Sequence, residues 1–162
     1  MSTASPIIRV LTANDDAGIA SVIRLVSAEY GLTPDKGFSV ADKTLDSLSQ
    51  VYNRDNACYW VIELDGKIMG GAGVAPLAGN TAICELQKMY FMPEARGKGL
   101  AKTLSNLTFE FAKTQGFTQI YLETTAVLVE ALALYKTLGF DSCQHLGETG
   151  HDACEIAMIK TL

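Results

Sequence analysis

Glu85-Leu-Gln-Lys-Met-Tyr-Phe-Met-Pro-Glu-Ala-Arg-Gly-Lys-Gly-Leu-Ala101 is the stretch from which the rest of the chain can be read. Its first half alternates and is rich in apolar and aromatic residues, the pattern of a strand. Pro93 ends that strand, because proline has no N–H to donate to a ladder. Arg96-Gly97-Lys98-Gly99 is a short basic, glycine-rich turn. Leu100, Leu104, Leu107 and Phe111 then recur at helical spacing and predict an amphipathic helix with these four on one face. A strand, a glycine turn and a helix N-terminus in succession can hold phosphate. Glycine allows φ > 0 and close approach of the backbone to an anion. The first helical N–H groups have no partner, and the helix dipole favours negative charge there. Arg96, Lys98 and Lys102 add full positive charges around the same spot.

Two common phosphate loops do not fit. A Walker loop needs Gly-Lys-Ser/Thr, but Lys102-Thr103 follows Ala101. A dinucleotide fingerprint needs a third glycine or alanine where Lys102 stands. Arg96-Gly97-Lys98-Gly99-Leu100-Ala101 instead matches every fixed position of Gln/Arg-x-x-Gly-x-Gly/Ala, the acetyl-coenzyme A loop of the GNAT superfamily of N-acetyltransferases, which the chain resembles. A second stretch carries the same resemblance: Ala131-Leu-Ala-Leu-Tyr-Lys-Thr-Leu-Gly-Phe140 is similar to the family's short helix ending in Leu-Tyr-x-x-Leu-Gly-Phe. Ala131, Leu134, Tyr135 and Leu138 share one face of it, and Gly139 is placed as its C-cap. The resemblance covers residues 57–162 well and the first 55 in outline.

Composition is that of a globular chain long enough to bury a core. The net charge of −5 argues against DNA or RNA as partner and mildly favours cationic, amine-bearing substrates. Cys58, Cys84, Cys143 and Cys154 are far apart, form no Cys-x-x-Cys, and lie in apolar, strand-like contexts. They read as free thiols of a reducing cytoplasm, with no metal site. The N-terminus lacks the charged and apolar regions of a signal peptide, and no stretch has membrane-spanning length. The expectation is a cytoplasmic protein with no membrane partner.

Ile7–Thr12 reads as a first strand. Asn14 or Asp15 caps a helix running to about Tyr30, with Ile19, Val22, Ile23 and Val26 inward and Gly31 at its end. A loop over 31–38 precedes a second predicted helix from about Val40 to Tyr52, carrying Leu45, Leu48 and Val51. Residues 57–65 and 67–74 form a hairpin about Asp65-Gly66. Three glycines in the second of these strands signal close backbone approach. A loop over 75–80 leads to a strand over 82–92 and so to the phosphate loop. After the helix, Gly116 caps and residues 118–124 form a strand, which implies a local parallel crossover. The short helix at 128–138 and strands over 140–146 and 153–160 close the chain.

The resemblance implies one domain over 1–162. Its fold would be mixed α/β: a mostly antiparallel sheet of roughly six to seven strands, splayed at its centre and flanked by about four helices. It implies acetyl-CoA as co-substrate, no metal, and an amine acceptor. Met89, Tyr90 and Phe91 would lie along the pantetheine arm and Arg96 to Lys102 at the pyrophosphate, with the Met89 N–H donating to the carbonyl oxygen. Glu85 occupies the place of a catalytic glutamate in some branches. It is the candidate base that takes a proton from the amine, and alternation puts Gln87 and Met89 on its face. The competing readings are a structural ion pair with Lys88 or another cation, and a contact that simply holds the substrate ammonium. Tyr135 matches the tyrosine that protonates the departing thiolate, against a core tyrosine bonded to backbone. His151, in the loop before the last strand, is a lesser candidate, and His145 a weaker one still. Tyr30, Phe38 or Tyr52 would approach the acceptor, against the commoner reading of aromatics at helical spacing as core. Leu128 stands where many members carry Asn. No cysteine has a nucleophile's setting, so transfer is direct. O-acyl transfer on the same scaffold, or an acetyl-CoA sensor without turnover, remain as alternatives, as does a homodimer.

Overall fold

The computed structural model describes residues 5–36, 38–151 and 153–162. Met1 to Ala4, and Gly37 and Asp152 of the two loops read above, lie outside the described residues. Seven strands form one sheet: β1 (Ile7–Val10), β2 (Cys58–Leu64), β3 (Lys67–Leu77), β4 (Asn80–Phe91), β5 (Gln119–Thr124), β6 (Asp141–Cys143) and β7 (Ile156–Thr161). Their order is β1-β2-β3-β4-β5-β7-β6. Among the described residues only β4 and β5 run parallel, so the sheet is mostly antiparallel, as expected. The helices are α1 (Asp16–Glu29), α2 (Leu48–Val51), α3 (Leu100–Thr114) and α4 (Val129–Thr137). The helix α1 and the segment through α2 cover one face of the sheet, and α3 and α4 cover the other.

Local chemistry accounts for most boundaries. Ile19, Val22, Ile23 and Val26 are all buried under α1. The Asp15 carboxylate accepts from the Thr12 N–H at 2.8 Å at the start of that helical run. Gly116 (φ 88°) and Gly139 (φ 95°) end α3 and α4 in the left-handed conformation. In each case the next residue's N–H bonds back into the last turn, Phe117 to Ala112 and Phe140 to Tyr135, both at 3.0 Å. A Cβ on Gly73 would come within 2.5 Å of Tyr59 and 2.8 Å of Tyr52, which is the close approach the glycine-rich strand signals.

Several expectations are corrected. The helix predicted from Val40 to Tyr52 is two 3-10 turns, Ser39–Ala41 and Leu45–Ser47, and the four residues of α2. Of the three apolar residues it carries, Leu45 and Leu48 are buried and Val51 is half-buried, and single turns suffice to bury them. The strand β3 runs on to Leu77 where a loop was expected, and the final strands are shorter than predicted. On α3 the inner face is Leu104, Ser105, Thr108, Phe109 and Ala112, while Leu107 is 38% exposed. The Ser105 and Thr108 hydroxyls donate to the carbonyls of Ala101 (2.7 Å) and Ser105 (2.6 Å), so these polar residues are buried without loss.

Candidate functional site

The parallel partners β4 and β5 pair only at Cys84–Ile120 and Glu85–Tyr121. Beyond Glu85 they diverge, and the site is built in the resulting gap. At the same place β4 carries a β-bulge. Gly73 pairs with Gln87 but Gly71 pairs with Tyr90, so one residue of β3 faces two of β4. Lys88 takes φ +49°, a conformation that costs a side-chain-bearing residue of order 1 kcal/mol or more. The bulge breaks the alternation read from sequence. Glu85 and Gln87 share the α1 side of the sheet, whereas Met89 turns to α3, where the Ser105 hydroxyl lies 3.7 Å from its sulfur.

The chain leaves β4 at Phe91, and Pro93 opens a single 3-10 turn (Pro93–Ala95) before the glycine loop. Gly97 and Gly99 have φ of +73° and +76°, and an added Cβ at either would meet nothing within 4 Å. Thr103 is the first residue whose N–H bonds back, to Gly99 at 3.2 Å. The N–H groups of residues 97–102 therefore have no acceptor among the described residues, and the segment borders a cleft of about 290 Å³. Gly97, Gly99, Leu100, Ala101 and Lys102 line that cleft, and Lys98 does not. The donor set suits a pyrophosphate. Arg96 also borders the cleft, but its guanidinium is already engaged. It donates to both carboxylate oxygens of Glu29 at 2.8 Å, its Nε donates to the Phe91 carbonyl at 3.0 Å, and it lies 5.8 Å from the Tyr30 ring centre. It ties α1 to the loop, so of the two cations that line the cleft Lys102 is the one without an ion pair among the described residues.

A smaller cavity of about 70 Å³ lies on the other side of the gap, lined by Glu85, Lys88, Glu123, His151 and Cys154 among others. Met89, Tyr90, Leu128 and Tyr135 border both spaces. Leu128 thus reaches the site with an apolar contact where the family often places a polar one.

A model of the GNAT family of acetyltransferases matches residues 22–140. The chain belongs to this family. Over 160 residues it is 56% identical to the uncharacterized N-acetyltransferase YjgM of Escherichia coli K12, covering 98% of this chain and 96% of that protein. It is 41% identical over 96 residues to the N-acetylaspartate synthetase of Homo sapiens, which is 59% of this chain but only 30% of that longer protein. Among solved structures, a GNAT-family acetyltransferase of Staphylococcus aureus superposes with a TM-score of 0.84 at 18% identity, covering 98% and 99% of the two chains. The PaiA N-acetyltransferase of Thermoplasma acidophilum, in complex with coenzyme A, gives 0.76 at 18% identity, covering 98% and 100%. At such identity these likenesses speak for the fold.

Within the GNAT site, Glu85 is 6% exposed. Burial raises its pKa, opposed by the Gln87 amide, which donates to Oε1 at 2.6 Å, and by the charges of His151 and Lys88. Its Oε2 has no hydrogen-bond partner among the described residues. The ion pair with Lys88 considered from sequence does not form, because Lys88 binds Asp42 instead. Tyr135 is buried, and its hydroxyl has no hydrogen-bond partner among the described residues, unlike a core tyrosine anchored to backbone. Burial, and then Tyr90, push its pKa well above the ordinary phenol value, so it holds its proton. The thiols of Cys84 and Cys154 are each pushed up to about 12, chiefly by burial. Neither is a thiolate at neutral pH. Among the described residues no three His, Cys, Asp or Glu side chains are grouped to hold a metal ion, and no helix is long and apolar enough to cross a membrane.

The aromatic residues proposed from sequence divide. Phe38 borders the small cavity and Tyr30 the large cleft. Tyr52 belongs to the core, packed 5.2 Å from Tyr59, and its hydroxyl donates to Gln87 Oε1 at 2.6 Å. It therefore supports Glu85 through Gln87. His151 borders the small cavity, while His145 bonds the Cys154 carbonyl at 2.7 Å. Sequence reading missed Asp42 and Glu123. Asp42 precedes a turn far along the chain from β4, and no spacing links them. The Glu123 carboxylate is held by the Tyr121 hydroxyl at 2.6 Å and by Thr149.

Proposed function

We propose that this GNAT enzyme transfers an acetyl group directly from acetyl-CoA to the primary amine of a small molecule, and that the acceptor is a free amino acid. The observation that carries the reading is the shared wall: Tyr135 borders both the phosphate-loop cleft and the small acidic cavity. A donor entering from one side and an amine from the other meet at its hydroxyl. Acetyl-CoA supplies the activated acetyl group and a thiolate leaving group. The free N–H groups of residues 97–102 and Lys102 take its pyrophosphate, and the gap beside Met89 to Phe91 takes the arm that follows. Glu85 Oε2, unpartnered and on a carboxylate made more basic by burial, accepts the amine's proton. Tyr135 donates its proton to the departing sulfur. The protonated Cys154 thiol supports direct transfer over an acyl-enzyme.

The small volume of the cavity favours a compact acceptor. The relation to N-acetylaspartate synthetase makes L-aspartate the first amino acid to try. The test is release of free thiol from acetyl-CoA across amino acids, polyamines, an aminoglycoside and a peptide N-terminus. Turnover with one amino-acid class and weak turnover with the others is the expected result. Release only with polyamines or peptides overturns the acceptor class. Absence of release with every amine, while acetyl-CoA still raises Tm, overturns the transferase reading in favour of a sensor.

A further inference from the structure

The buried cation beside the base is unexplained by acetyl transfer to a bare amine. The Lys88 side chain is only 8% exposed, and the strained bulge aims it into the small cavity. A buried ammonium needs a counter-charge, and Asp42 provides it from a segment of single turns between the 3-10 turns at 39–41 and 45–47. The same carboxylate lies 3.0 and 3.3 Å from His151 Nε2, on the connection before β7. Burial works to raise the Asp42 pKa, but the His151 hydrogen bond and the Lys88 charge hold it below the ordinary carboxylate value. Three segments distant in sequence thus meet around one carboxylate, and the Lys88 and His151 that hold it line the acceptor cavity. The Asp42 side chain is 30% exposed and occupies the solvent side of the pair, so it can leave while Lys88 stays.

We propose that Lys88 and His151 form the carboxylate subsite of the acceptor, and that Asp42 is its resident stand-in, displaced when the acceptor binds. This rests on the amino-acid reading of the preceding section. The charges around the cavity support it. The Glu123 carboxylate already accepts one hydrogen bond on each oxygen, from Tyr121 and Thr149. Glu85 offers one free oxygen to an ammonium, and it lines the same cavity as Lys88 and His151. A free carboxylate oxygen beside an exchangeable cation is complementary to a zwitterion, with the amine at Glu85 and the carboxylate at Lys88 and His151. A polyamine has no group for Lys88.

The test compares L-aspartate, L-alanine and L-alaninamide as acceptors of the full chain, with calorimetric titration of L-aspartate in the presence of coenzyme A as a readout independent of turnover. L-alaninamide, which keeps the amine and lacks the carboxylate, should be the poorest acceptor. Lys88→Met should raise KM for L-aspartate roughly 10- to 100-fold, the loss of a charge-assisted contact, with kcat changed little. Lys88→Arg should recover part of that loss. Asp42→Asn should lower KM and tighten the calorimetric affinity several-fold, because the competing carboxylate is gone. Unchanged L-aspartate affinity in Lys88→Met, or weaker affinity in Asp42→Asn, overturns the subsite. Binding of L-aspartate that depends on Lys88 without thiol release would leave the subsite standing and remove the transferase reading.

Discussion

Tyr135→Phe separates a catalytic hydroxyl from a structural one, because the structure fixes two magnitudes of opposite size. The ring is buried between α4 and the sheet, packing edge-on 5.7 Å from Phe140, and phenylalanine preserves that packing. The hydroxyl has no hydrogen-bond partner among the described residues, so its removal orphans no buried group. A stability change within about 0.5 kcal/mol follows, or about 2 °C in Tm for a chain of this size. A core hydroxyl bonded to backbone would instead lose about 1 kcal/mol. In the proposed mechanism the chemical step depends on the same atom. Loss of a general acid costs ~10²-fold or more in kcat, about 2.7 kcal/mol of barrier. KM for acetyl-CoA should change little, since the proposed pyrophosphate contacts are loop N–H groups that the substitution leaves in place. The assay is steady-state thiol release at saturating acceptor, beside a melting curve. The sign with pH follows from the raised pKa. The phenol is active while protonated, so Tyr135 contributes no alkaline loss of rate below its ordinary value of about 10. Unchanged kcat would refute the assignment, and a large fall in Tm would show that the hydroxyl is anchored after all.

Three further outcomes are expected. Glu85→Gln should lower kcat/KM by roughly 10²-fold. It should also abolish the acid limb of the wild-type profile, which lies above the ordinary carboxylate range because burial raises the Glu85 pKa and the base acts only when deprotonated. A persistent acid limb in that variant would assign it to another group. The Arg9 guanidinium, at 2.7 and 2.9 Å, holds the Asp15 carboxyl down to about 2. Since that folded pKa is depressed, the stabilisation is complete above the unfolded value of 3.8 and is lost as pH falls toward 2. Asp15→Asn should therefore cost about 1–2 kcal/mol at pH 7, allowing for solvent around Arg9, with the gap closing in acid, as read by urea unfolding. Cys154→Ala should retain thiol release within about threefold, and trapping of an acetylated protein by mass spectrometry should fail, because a thiol pushed up to about 12 is no nucleophile. Loss of turnover with a trapped acyl group in the wild type would contradict direct transfer.

Much of this protein was legible from local sequence. Pro93, the two glycines of the loop and the leucine pattern behind them specify a strand, an anion turn and a helix, because each signal acts within a few residues. The same holds for Gly116 and Gly139 as helix ends and for Tyr135 on a helix face. Glu85 and the loop residues are recognisable by motif and offset, which local spacing preserves. Where sequence reading failed, the deciding force was not local. The segment 39–51 has helical periodicity but buries Leu45 and Leu48 in separate turns, since burial against α1 overrides propensity. The bulge at Lys88 came from the pairing of β4 with β3, and it moved Met89 to the opposite face from Glu85. The meeting of Asp42, Lys88 and His151 likewise exists only once the sheet has gathered three distant segments, because a buried cation takes its counter-charge from whatever the fold brings within reach. Sequence alone thus determined the family, the phosphate loop and the candidate acid and base. Only the tertiary structure decided what surrounds the acceptor, because those contacts depend on long-range pairing that no short spacing encodes.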